Sequence, residues 1–335
     1  MTSDQWLFTL DDLERTPSSD DGMDVQEQLA ERAKAIEFMF RVGLTLKLTM
    51  TPLSTAATYF HRFFMRRAHR DFPYRETAIA CLFLAAKIEE TARKVTDTAQ
   101  MAMAKAKNLP TSEASFDNDQ ARAEVELWVK NILTYEEAVV SVLCFDLVVD
   151  HPQTVLEDLI QNWQQHGANV VDESRLEHLQ GFAWTLLNDS FRTPLCILVP
   201  HDIVAVSCFI IAAQAIGACL LDEFLAQSPG ATSASASACR LLGVGPDRTH
   251  LVHVSLRVFR DWYASQPSSV GRFAYLDPLS SLPIPTDARV PLFPKITADT
   301  IDDSGSPADL DELGSQSPQA DGNRTPGGIW SSYGM

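Results

Sequence analysis

An all-α chain of two tandem helical units, flanked by acidic, disordered N- and C-terminal tails, is the fold class the sequence predicts. Three observations carry it. From about residue 31 to 265, apolar residues recur at helical spacing, and proline and glycine fall between the periodic runs rather than within them. Two segments 127 residues apart repeat one pattern: PYRETAIACLFLAAKI from Pro73 and PHDIVAVSCFIIAAQA from Pro200 align proline with proline, Cys81 with Cys208, Ala85-Ala86 with Ala212-Ala213 and Lys87 with Gln214. The charge lies at the ends. Of the net −17, residues 1–30 carry −7 and residues 267–335 carry −5, the signature of solvated tails.

The elements follow in order. The spacing predicts helices near 31–48 and 52–69, the second opened by Thr51 as cap and Pro52 at its first turn. The helix near 75–91 is alanine-rich; small side chains there let neighbours pack close on every side, as a central helix requires. Helices near 95–106 and 121–145 complete the first unit, the latter with an apolar stripe of Val125, Trp128, Ile132, Tyr135, Val139 and Val142. The second unit comprises helices near 152–165, 173–191, 201–220 and 249–264. The acidic start Asp172-Glu173 of the 173–191 helix suits a helix dipole. The predicted division is therefore a flexible acidic segment over 1–30, a first unit over 31–150, a second over 151–265 and a Pro/Ser/Asp-rich tail over 266–335. In that tail Ser306, Ser317 and Thr325, each followed by proline, fit proline-directed phosphorylation as well as ordinary disordered composition.

Composition excludes several functions. The uncharged run from Ile203 to Leu221 has nearly the length of a membrane span, but Asp202 and Asp222 flank it, no Lys/Arg cluster adjoins it and Gln214 interrupts it. The repeat accounts for it better, as the second unit's central helix. A slightly acidic body lacks the basic face that gripping a nucleic acid backbone needs. No glycine-rich phosphate loop and no cysteine or histidine spacing for zinc occurs, so no metal, cofactor or catalytic residue is assigned. The six cysteines form no C-x-x-C and sit mostly in apolar runs, in keeping with a reducing compartment. Arg62, Arg66, Arg67 and Arg70 read as a solvated or substrate-facing side at the end of the second helix, a solvated face being the plainer reading.

Two charges are out of place. Lys87 lies four residues after Phe83 and three after Leu84, on their face; Glu136 lies four after Ile132 and three before Val139. Each either snorkels to water or meets the other, because an unpaired buried charge is costly. In the second case they form a Lys–Glu pair at the rim of an apolar patch of Leu84, Ile88, Phe145 and Leu147.

The runs YFHRFFM (59–65), CLFLAAKIEET (81–91) and YEEAVVSVLCFDL (135–147), in this order, resemble the first cyclin box. FAWTLLNDSFRTPL (182–195) and PHDIVAVSCFIIAA (200–213) resemble transcriptional cyclins of the K and T types. The resemblance implies a regulatory subunit rather than an enzyme, located in the nucleus. Its partner would be a cyclin-dependent kinase that phosphorylates the C-terminal domain of RNA polymerase II, with no direct contact to nucleic acid. It also implies that Lys87 and Glu136 clamp the kinase's regulatory helix, with Leu84, Ile88, Phe145 and Leu147 alongside. Gln214 stands where a second lysine would, so kinase contact is expected at the first unit. A cyclin-fold general transcription factor, binding DNA or polymerase without a kinase, is the rival reading.

Overall fold

The computed structural model describes residues 3–109, 116, 118–166, 173–216, 243–266 and 292–293. Among these residues there is no strand. The first unit contains α1 (Val25–Thr45), α2 (Met50–Phe63), α3 (Tyr74–Ile88), α4 (Val95–Ala106) and α5 (Asp119–Val142). The second contains α6 (Pro152–His166), α7 (Glu173–Ser190), α8 (His201–Ala215) and α9 (Thr249–Ser265). Each predicted helix is present. The second opens earlier than expected, with Thr49 at its cap and Pro52 inside the first turn, and it stops at Phe63 rather than 69. The predicted end of α8 beyond Ile216, and nearly all of the C-terminal tail, lie outside the described residues.

The central-helix expectation holds in both units. Helix α3 is buried from Thr77 to Ala86 and packs against α1, α2, α4 and α5. Helix α8 is buried from Ile203 to Ala213 and packs against α6, α7 and α9. A helix enclosed on all sides must be apolar all round, which accounts for the uncharged run. No helix among the described residues is long and apolar enough to cross a membrane. The close packing shows at Gly43 in α1. A Cβ there would drive into the buried Leu53 side chain and touch Leu82 Cδ1 at 3.4 Å. Gly43→Ala is therefore expected to lower stability in a urea melt: overpacking costs about 1–3 kcal/mol, against a helix-propensity gain of at most about 1 kcal/mol.

The N-terminal segment departs from expectation. Residues 1–30 are predicted to be flexible, yet from Ser3 onward the chain forms short helical turns and α1 starts at Val25. Trp6, Leu13, Thr16 and Ser18 are buried. Thr9 and Asp12 form a reciprocal capping box, and Asp24 caps α1. The acidic residues therefore cap turns or face water while the few apolar ones are inserted. Phe8 N–H donates to the Ile197 carbonyl at 2.7 Å, pinning this segment to the second unit. Helix α1 also straddles the two units: Leu29 and Ala33 belong to the second core, and Ile36, Met39 and Phe40 to the first.

Buried polar links join the units. His61 in α2 donates from Nε2 to the Phe191 carbonyl at 2.9 Å. Burial, reinforced by the Arg32 charge, pulls His61 down to about 3. The unfolded chain takes up a proton near the ordinary histidine value while the native site refuses it until about 3. Stability is thus full above about pH 6.5 and is lost as pH falls towards 3. This group alone should remove about 2 kcal/mol between pH 7 and pH 5, read as a fall in the urea midpoint. A midpoint that rises on acidification would contradict it.

Candidate functional site

Lys87 and Glu136 meet. Lys87 ends α3, where Glu89 caps the helix and Glu90 turns the chain with φ 55°. Glu136 projects from the C-terminal third of α5, which packs along α3. The Lys87 ammonium pairs with Glu136 Oε1 and lies 4.6 Å from the Phe83 ring centroid. The lysine side chain is 42% exposed and the glutamate 13%. The pair is thus neither sealed in the core nor dispersed into water: one partner is anchored and the other is offered at the surface.

The apolar patch is present but composed differently from expectation. Ile88 and Phe145 are exposed at 43% and 77%, and Val148, absent from the expected patch, at 80%. Leu84 is buried, so it belongs to the floor under the patch and not to its surface. Leu147 is half-buried against the first core, its carbonyl accepting from Tyr59 Oη at 2.5 Å. Phe145 is thrown outward by the backbone. Cys144 and Phe145 take φ 54° and 60°, and Phe145 N–H closes on the Val140 carbonyl at 3.1 Å. Left-handed conformation at two consecutive non-glycine residues is uncommon and costs free energy. Here it ends α5 abruptly and leaves a phenylalanine in solvent. Val148 had a readable signal, since it follows Phe145 and Leu147 beyond the last helical turn.

The adjacent acidic residues differ in role from Glu136. Glu89 turns inward, its Oε1 accepting from Thr55 Oγ1 at 2.7 Å and facing His151 Nε2 at 3.6 Å. It ties the end of α3 to α2 and to the start of the second unit. Gln214, the counterpart of Lys87, is half-buried near the end of α8. The described residues contain no cluster of three or more His, Cys, Asp or Glu able to hold a metal ion.

Two stacked helical units with a Lys–Glu pair beside an apolar patch define a cyclin-box architecture. Residues 5–148 match the family described as the cyclin N-terminal domain. Among individual proteins the similarity includes cyclins of the K and T types. The chain is 34% identical to cyclin pch1 of Schizosaccharomyces pombe over 205 residues, which is 61% of this chain and 56% of that protein. It is 30% identical to human cyclin-K over 209 residues (62% and 33%) and 32% identical to cyclin-T1-2 of Arabidopsis thaliana over 204 residues (60% and 41%). The matched region spans about half or less of the length of these relatives. Among solved structures, a chain of the yeast RNA Pol II CTD kinase CTDK-1 complex aligns with TM-score 0.56 and 17% identity, covering 97% of this chain and 88% of that one. A chain of the CAK complex of Chaetomium thermophilum aligns with TM-score 0.52 and 16% identity, covering 97% and 96%. At such identities the likeness is one of fold.

Proposed function

We propose that this chain is the regulatory subunit of a nuclear cyclin-dependent kinase that phosphorylates the C-terminal domain of RNA polymerase II. The observation that carries the reading is the pairing of Lys87 with Glu136 next to the exposed Ile88, Phe145 and Val148. An apolar patch with a polar anchor at its edge is how a protein binds an amphipathic helix and fixes its register. Similarity to cyclins K and T, and a fold shared with a chain of a polymerase-repeat kinase complex, support the choice of partner.

The mechanism needs no chemistry from this chain. A protein kinase is active when a lysine of its sheet pairs with a glutamate on a mobile helix, which must turn inward. A subunit that binds only the inward state raises its population. Moving from 1:99 to 99:1 takes a differential affinity of about 5.5 kcal/mol. Three exposed apolar side chains, each able to contribute about 1.5–3 kcal/mol when fully buried, match that scale. Lys87 would reach carbonyls of the partner's backbone and Glu136 its amides, setting register more than affinity.

Pull-down of the full chain from its native extract, followed by a kinase assay on a polymerase repeat peptide, tests the reading. Repeat-peptide kinase activity should accompany the wild-type chain and be lost with Phe145→Asp, whose stability should be nearly unchanged because the side chain is exposed. Equal activity with the two chains would remove the patch from the mechanism, and absence of any kinase would refute the assignment.

A further inference from the structure

Arg62 is 5% exposed, yet its Nε and Nη1 are buried without a hydrogen-bond acceptor. Spacing alone predicts a solvated face shared with Arg66, Arg67 and Arg70. The structure corrects this: α2 ends at Phe63, so Arg62 stays with the buried helix while the other three follow the turn outward. A buried cation without a partner is costly, and buried charges are normally paired.

No neighbour supplies the missing anion. Cys196 is pushed up to about 12 by burial and is a neutral thiol at physiological pH. Asp146 is engaged through Oδ2, which accepts from Trp6 Nε1 at 2.8 Å and from Gln5 Nε2. Asp150 is exposed, and neither aspartate comes within ion-pair distance of Arg62, although both act on it from further away. What the guanidinium touches is the face of Trp6, at 5.2 Å, and the same indole carries Arg66 at 4.5 Å. One ring between two cations neutralises neither.

Arg62 lines a cleft between the two units with a cavity of about 40 Å³, shared with Thr58, His151, Ser190, Cys196 and His201. One water needs about 10–15 Å³ on this measure, so the space admits one small polyatomic anion. A second residue lining the same cleft also carries an unsatisfied atom. His151 turns Nε2 towards the Glu89 carboxylate and leaves Nδ1 buried without a partner. With the proton on Nε2, Nδ1 is an acceptor. The cleft therefore combines a forked cation with a neutral acceptor. Phosphate matches both, because near neutral pH it carries acceptor oxygens and, in part, a P–OH donor.

We propose that the cleft between the two helical units binds a phosphate group, with Arg62 as its principal ligand and His151 Nδ1 accepting a hydrogen bond from its P–OH. The proposal stands independently of kinase binding. In the full-length chain, inorganic phosphate should raise the melting midpoint above that in chloride at matched ionic strength and shift the Arg62 Nε–H resonance, assigned with Arg62→Lys. Arg62→Met should weaken phosphate binding about tenfold or more, the loss expected for a charge-assisted donor, while Arg66→Ala should retain it. If Arg62→Met fails to fold, the resonance shift in the wild-type chain decides. A short phosphoserine peptide binding more tightly than inorganic phosphate would identify a phosphorylated protein as the source; equal binding would identify the free ion. A midpoint and a resonance that respond to phosphate no more than to chloride would overturn the proposal, as would undiminished binding by a folded Arg62→Met chain.

Discussion

Lys87→Ala and Glu136→Ala are each expected to weaken kinase binding by about 2–5 kcal/mol, roughly 30-fold to several thousandfold in Kd, while leaving the chain folded. The two halves of this expectation come from the same geometry. In the free protein Lys87 is nearly half exposed, and a pair with one partner in water contributes about 0–1 kcal/mol to stability. The lysine's contact with Phe83 adds a similarly small amount. Helix α3 is held by its buried run from Thr77 to Ala86, upstream of the lysine, so its removal takes little from the core. A docked partner changes the setting. It excludes water from both charges, and whichever remains after truncation is then buried without its counterpart. Glu136→Ala should be the more damaging to register, since Glu136 is the anchored member that orients the ammonium. Circular dichroism melts alongside affinity measurements with purified kinase would check this. Folded variants that bind as tightly as wild type would show the pair to be a surface ornament. The double reversal Lys87→Glu with Glu136→Lys rebuilds the pair but swaps the groups offered to the partner; it should keep the melt and still fail to bind.

Much of this site is legible in the sequence. Helical periodicity locates α3 and α5, and the fault in that periodicity locates Lys87 and Glu136, because a charge on an apolar face has few physical outcomes. That the two faults face each other is not legible, since it depends on how α5 lies along α3. Leu84 shows the limit of periodicity: it shares Lys87's face of α3, yet lies deep enough in the packing to be covered. Phe145 owes its exposure to the left-handed turn that follows α5; the apolar pattern places it near the patch but does not announce that turn. Composition misleads most at the N-terminus. Averaged over thirty residues the segment reads as a solvated tail, but Trp6, Leu13, Thr16 and Ser18 are inserted one at a time between acidic residues that face out or cap turns. Arg62 fails for a related reason. Four arginines at i, i+4, i+5 and i+8 form one face only if the helix continues, and it ends one residue after the first of them.

Arg192→Ala is expected to be among the most destabilising single changes outside the apolar core, at about 3–5 kcal/mol. Arg192 donates from Nε and Nη2 to Glu37 Oε2 of α1, at 2.9 and 2.6 Å, and from Nη1 to Asp189 Oδ1 at the end of α7, at 2.6 Å. Asp189 Oδ2 accepts in turn from Tyr263 Oη of α9 at 2.7 Å. One guanidinium therefore holds together three helices drawn from both units. Burial alone would pull its pKa down, but Glu37 and Asp189 together overcome that and hold it above the ordinary arginine value. Its removal would leave two poorly solvated carboxylates facing the same void. Arg192→Lys should recover only part of the loss, because a single ammonium cannot reproduce contacts with two carboxylates at fixed angles. The Arg248–Asp202 pair provides the internal comparison. It is of similar geometry, with contacts of 2.7 and 2.8 Å, but both side chains are about one-third exposed. Arg248→Ala should therefore cost only about 0–1 kcal/mol. Urea melts of the two alanine variants distinguish a largely buried junction from a peripheral contact. Equal losses would mean that the contact between the units does not depend on Arg192, and that the apolar packing of α1 against the second core holds them together unaided.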